Sequence, residues 1–166
     1  MRVAILTISD RSARGERPDA SGPALVQAAQ AQGWQVVESA VVPDERGIIE
    51  QTLASWCDST RCDLVLTTGG TGFAPRDVTP EATGTVIERP APGLAELMRL
   101  ESLKITPHAA LSRAVAGIRG RTLIVNLPGS PKAAVENLGF LLPILPHAID
   151  LLQDSPSAES GHKQIG

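Results

Sequence analysis

Aromatic side chains are scarce: two Trp, two Phe and no Tyr in 166 residues. Single-stranded nucleic acid is usually held by base stacking, and this chain has few rings to offer it. The net charge of −3 supplies no basic field for a polyanion either. Cys57 and Cys62 are the only cysteines, and His108, His147 and His162 the only histidines. None of the five makes a zinc-site spacing, so the thiols read as reduced core residues of a cytoplasmic protein. No apolar run approaches the length of a membrane span, and the N-terminus runs straight into a strand pattern. Two common phosphate loops are also missing, since no Gly-Lys-Ser/Thr ending and no G-x-G-x-x-G spacing occur. No Ser or Cys sits in a recognisable motif with a His–Asp pair, which argues against a protein nucleophile.

With 42% hydrophobic and 20% charged residues, the composition is that of a globular chain. One domain is expected over 1–153, followed by a polar, flexible tail over 154–166. The continuous apolar run Val3–Ile8 predicts a strand buried on both faces, and Val36–Val42, Asp63–Thr67 and Thr122–Asn126 are three further strand candidates. Helical spacing predicts helices over 24–32, 45–56, 80–87, 94–103, 133–142 and 148–153. Residues 89–93 read as a connector, and 105–118 fit neither period. Strands alternating with helices imply an α/β three-layer sandwich with a mostly parallel central sheet and helices on both faces.

In such sheets ligands bind beyond the carboxyl ends of the strands. The polar loops Ser9–Arg11, Pro43-Asp44, Thr68–Asp77 and Asn126–Lys132 all follow strands. The Thr68-Gly69-Gly70-Thr71-Gly72 loop places three glycines in four positions between a strand and a helix, a pattern suited to an anion. Thr79-Pro80 reads as the cap and first residue of the following helix, which leaves Asp77 free. Asp44 is either a helix cap or a site carboxylate. Two carboxylates beside a phosphate loop call for a hard cation such as Mg²⁺. Ser130-Pro131 opens a helix, as a simple cap or as a second anion site assisted by Lys132. Asn126 could read a polar heterocycle. Ser102, Ser112 and Arg113 read from spacing alone as solvated polar residues.

The string Thr67-Thr68-Gly69-Gly70-Thr71-Gly72, with Pro75-Arg76-Asp77-Val78-Thr79-Pro80-Glu81-Ala82-Thr83, resembles the signature of the molybdopterin adenylyltransferases, the MogA/MoaB group. Further matches are Pro43-Asp44-Glu45, Glu101–Pro107, Leu111-Ser112-Arg113, Ala116–Gly120 and Asn126–Pro131, and the likeness runs from Arg2 to Leu152. The resemblance implies a homotrimer that transfers AMP from ATP to the terminal phosphate of molybdopterin, with Mg²⁺ and release of pyrophosphate. It implies Asp44 and Asp77 as catalytic and metal-binding residues. It implies Thr68, Gly69, Gly70, Thr71 and Gly72 as the nucleotide-phosphate loop. Ser102, Ser112, Asn126, Pro128, Gly129, Ser130 and Pro131 are implied to line the pterin and nucleotide pockets. Some relatives carry a molybdenum insertase domain; for this chain a separate insertase is the expected partner. A non-catalytic molybdopterin-binding or scaffold module of the same fold is the alternative, disfavoured because a passive binder does not need both acids.

Overall fold

The computed structural model describes residues 1–59 and 61–154. Apart from Asp154, the tail expected to be flexible lies outside the described residues. Six strands form one sheet in the order β2-β1-β3-β6-β5-β4. β1 (Arg2–Ile8), β2 (Gln35–Val42), β3 (Leu64–Thr68) and β6 (Thr122–Leu127) are mutually parallel. β5 (Ala116–Arg119) runs antiparallel to β6, and the two-residue β4 (Arg89–Pro90) antiparallel to β5.

Alternate residues of each central strand feed opposite faces. Val3, Ile5, Leu64, Leu66, Leu123 and Val125 pack with Leu25 of α2 (Ser21–Ala31), Met98 of α5 (Pro92–Leu103), Leu138 of α6 (Pro131–Leu141) and Ile149 of α7 (Leu145–Leu152). Ala4, Leu6, Val65 and Ile124 pack with Ile49 and Leu53 of α3 (Arg46–Asp58) and Val86 of α4 (Thr79–Val86). Helices therefore cover both faces, in the three layers expected. Among the described residues no single helix is long and apolar enough to cross a membrane.

The β4–β5 edge is a correction to the expected four strands. Arg89–Pro90 read as a connector because proline lacks the donor a central strand needs, yet an edge strand tolerates it. β5 turns into β6 at Gly120, whose φ of +55° suits a tight reversal. Gly117 of β5 has to be small, since a Cβ there would lie 2.7 Å from Ile87 Cδ1. Both cysteines are free, buried thiols in the α3/α4 layer.

Candidate active site

The carboxyl ends of β1, β2, β3 and β6 open into a polar cavity of about 280 Å³. Its walls include Ser9, Asp44, Asp77, Thr68, Gly69, Gly70 and Gly129, brought together from the ends of four strands. A second, less polar cavity of about 280 Å³ adjoins it, with Thr71, Gly72, Ser102, Ser112 and Pro128 among its lining residues. Consecutive residues of the same turns thus face different cavities. Gly70 faces one and Thr71 the other; so do Gly129 and Pro128. Ser130 and Pro131 fall on neither wall and line a third groove with Gly129.

The glycine turn is shaped by close approach. Gly69 and Gly70 take φ of +105° and +64°. A Cβ on Gly69 would collide with the Ile8 carbonyl, and one on Gly70 would collide with Thr79 Oγ1 and lie 3.1 Å from Asp44 Oδ1. A Cβ on Gly72 would lie 2.9 Å from Asp77 Oδ2. The two site carboxylates therefore flank the glycine turn within side-chain contact distance. Gly129 packs against the first glycine of that turn, its Cβ position 3.1 Å from Gly69 Cα. Thr68 ties the loops together by donating to the Pro128 carbonyl at 2.6 Å.

One detail differs from the sequence expectation, and one open alternative is narrowed. Thr79 does not cap α4. Its hydroxyl donates to the Gly69 carbonyl at 2.9 Å and its N–H to the Gly70 carbonyl at 3.1 Å, so the start of α4 clamps the loop. The N–H groups left without an intramolecular partner among the described residues include Gly70, Thr71, Gly72, Gly129 and Ser130. Those groups, on both turns, can meet an anion. Asp44 does not cap α3 either. Its Oδ2 accepts the Asp10 N–H at 2.7 Å, at the start of the short helix α1 (Asp10–Ala13), while its own N–H donates to Asp10 Oδ1 at 3.1 Å.

Asn126, unlike Ser130 and Pro131, which line the third groove, is a predicted ligand-binding residue on none of the three walls. Its side chain is fully buried and belongs to neither cavity. Its amide donates to Thr67 Oγ1 at 3.0 Å and Thr83 Oγ1 at 2.9 Å, and its Oδ1 accepts the Val115 N–H at 3.3 Å. At the end of a strand buried on both faces, it braces β3, α4 and the entry to β5. Lys132 points along its own helix toward Glu136, at 3.8 Å.

Residues that spacing alone passed over hold the site rigid. Arg113 donates from Nε to the Gly72 carbonyl at 2.7 Å and from its terminal nitrogens to the Asp77 carbonyl and the Glu81 carboxylate. Asp77 Oδ2 accepts the Ala74 N–H at 2.9 Å, closing the same loop. Arg76 forks onto Asp10 at 2.9 and 3.0 Å and reaches Glu45 at 2.8 Å. Asp19 accepts from Thr7 Oγ1 at 2.7 Å and from the N–H groups of Ser21 and Gly22 at the start of α2. The position of Arg76 beside Asp77, and of Asp10 after β1, was the available signal; their partners are 66 residues apart.

Burial pushes the Asp44 carboxyl above the usual aspartate range; the Asp10 N–H opposes this, and the charges of Asp10 and Asp77 add to it. Asp10 lies below its usual range because Arg76 hydrogen-bonds to it. Among the described residues no three His, Cys, Asp or Glu side chains gather around one point. A cation here would take Asp44 and Asp77 and complete its shell with ligand oxygens and water, the habit of a hard divalent ion on a phosphate substrate.

Residues 4–147 match the family model described as a probable molybdopterin binding domain. The molybdopterin adenylyltransferase of Helicobacter pylori (strain J99) is 46% identical over 154 residues, covering 92% of this chain and 88% of that protein. That of Escherichia coli K12 is 48% identical over 141 residues, covering 83% of this chain and 72% of that protein. The solved structure of the molybdopterin biosynthesis enzyme MoaB from Thermus thermophilus superposes with a TM-score of 0.88. It is 54% identical and covers 93% of this chain and 98% of that one.

Proposed function

The chain belongs to the molybdopterin adenylyltransferase family of molybdenum cofactor biosynthesis, and from that premise we propose that its two adjoining cavities take the two halves of one nucleotidyl transfer. The polar cavity takes the phosphates of ATP. The less polar one takes the pterin of molybdopterin, with Ser102 and Ser112 as its polar contacts. The observation that carries this reading is the alternation along two turns. Gly70 and Thr71, and likewise Gly129 and Pro128, face opposite cavities, so ligands in the two spaces meet with their phosphates at the turns.

The molybdopterin phosphate attacks the α-phosphorus of ATP, the bond from that phosphorus to the β-phosphate oxygen breaks, and pyrophosphate leaves with the electron pair. A phosphate nucleophile is already an anion, so no protein base is needed, in keeping with the lack of a Ser–His–Asp or Cys–His set. The work left to the protein is alignment and charge neutralisation. The free N–H groups of Gly70–Gly72 and of Gly129 and Ser130 receive phosphate oxygens. Asp44 and Asp77 are the residues that would hold Mg²⁺, which would supply charge neutralisation on the phosphates. Arg113 and Arg76 keep the Asp77 loop and the Asp44 turn in register. A homotrimer and a separate insertase that consumes the adenylylated product complete the proposal.

The test is pyrophosphate release from ATP with and without molybdopterin in the presence of Mg²⁺. Release should depend on molybdopterin and fall by at least about two orders of magnitude in Asp44→Ala and Asp77→Asn, the scale for losing a transition-state electrostatic contact. Pterin binding with no turnover would point instead to the scaffold module.

A further inference from the structure

The walls of the polar cavity carry three carboxylates, Asp19, Asp44 and Asp77, and a single basic side chain, Arg17. Arg11, after β1, lines none of the three cavities, and the other arginines around the glycine turn are committed. Arg76 forks onto Asp10 and Glu45, Arg113 is bound to Glu81 and two carbonyls, and Arg14 is paired with Glu16. Arg17 has neither an ion pair nor a hydrogen bond to any described residue. It is exposed and belongs to two walls at once. Together with Ser21 and Gly129 it separates the polar cavity from the third groove, about 660 Å³, which continues past Ser130 and Pro131. That groove has no acidic residue on its walls.

A triphosphate carries most of its charge at the β and γ ends, and its leaving group is a polyanion. The polar cavity, with Asp44 and Asp77 at the glycine turn and Asp19 bonded to Ser21, repels such a group unless a cation intervenes. The acid-free groove beyond Gly129 does not. We propose that Arg17 is the pyrophosphate-binding residue of this chain: its guanidinium takes the β- and γ-phosphates of ATP and retains pyrophosphate after the α–β bond breaks, with the third groove as the exit. Guanidinium suits this role because it binds phosphate oxygens through two parallel donors and stays charged at any working pH. The proposal rests on the adenylyl-transfer reading for its place in the reaction, but the binding of pyrophosphate can be read without turnover.

The experiment is calorimetric titration of the intact protein and of Arg17→Gln and Arg17→Lys with magnesium pyrophosphate, and separately with AMP. Arg17→Gln should weaken pyrophosphate about tenfold to a hundredfold, the scale of a lost charged hydrogen bond, and leave AMP unchanged. Arg17→Lys should recover part of the loss, since it restores the charge without the fork. In turnover, Arg17→Gln should raise the inhibition constant of pyrophosphate and the KM for ATP while leaving the KM for molybdopterin alone. Equal weakening of AMP and pyrophosphate would place Arg17 on the nucleoside or the α-phosphate and overturn the proposal, as would no change in either. If wild type releases no pyrophosphate from ATP and molybdopterin, the adenylyl-transfer reading fails, and the two titrations still decide the assignment of Arg17.

Discussion

Asp10 and Asp44 hold each other by reciprocal bonds, each carboxylate accepting the other's backbone N–H, at 2.7 and 3.1 Å. The pair joins the ends of β1 and β2 and aims the remaining Asp44 oxygen at the glycine turn. Arg76, on the loop that carries Asp77, is bound to the same Asp10. Both site carboxylates are therefore oriented through one residue that touches no substrate in the proposed arrangement.

Asp10→Ala removes that common anchor. It should raise the Mg²⁺ concentration needed for half-maximal pyrophosphate release by about 10–100-fold, the scale for losing a partner that orients a metal ligand. Asp10→Asn keeps an acceptor for the Asp44 N–H and should lose less. Rates measured across a Mg²⁺ series for the two variants check this; identical curves would show that Asp10 does not orient the site.

Asp44 is costly to keep ionised. Its carboxyl titrates above the usual range because of burial and the nearby Asp10 and Asp77 charges. A raised carboxyl pKa in the folded state means that folded protein binds the proton more tightly. The Asp44 contribution to stability is then greatest in acid, and declines as pH rises from the unfolded value, about 3.9, through the folded one. Asp44→Asn should therefore be more stable than wild type at pH 7 while inactive, and the advantage should vanish in acid. Thermal unfolding of both proteins across that range measures it.

Asn126→Leu should cost about 1–3 kcal/mol of unfolding free energy, because the Val115 N–H and the Thr67 and Thr83 hydroxyls lose their buried partner. In the protein that remains folded, the KM values for ATP and molybdopterin should be unchanged. Denaturant unfolding and steady-state kinetics separate this bracing role from the ligand contact expected of the residue.

Burial holds the Cys57 thiol up at about 12 and the Cys62 thiol at about 11. Almost no thiolate exists at pH 8, so Ellman's reagent should react slowly with native protein. Both thiols should react at once in guanidinium. Fast labelling of the native state would mean that the α3/α4 layer opens far more readily than its packing suggests.

Three of the parallel strands, β1, β3 and β6, could be read in advance because burial on both faces forces an apolar run, a local property of the chain; β2, broken by Glu38 and Ser39 and only partly buried at the edge, showed instead as two short valine-rich pairs. The glycine turn, Asp44 and Asp77 were legible for a related reason: each follows a strand of the parallel set, and the topology sends those ends to one side. Other features had no local trace. Pro90 belongs to a strand only because it lies at the sheet edge. Arg113 looked like a solvated residue until the fold laid it across Gly72 and Asp77, and Asn126 resembled a ligand contact until Thr67 and Thr83 closed around it.

Sequence alone determined the parallel strands and their helices, the glycine turn, and the place of Asp44 and Asp77 after two of those strands, since periodicity, glycine content and residue type are carried by neighbours along the chain. Tertiary structure alone decided which polar groups were left unpaired. Hydrogen bonds between residues far apart in the chain consumed Thr79, Asn126, Arg76 and Arg113, and left the backbone donors of two turns free. Satisfaction of polar groups is a property of spatial neighbours, and no reading along the chain contains it.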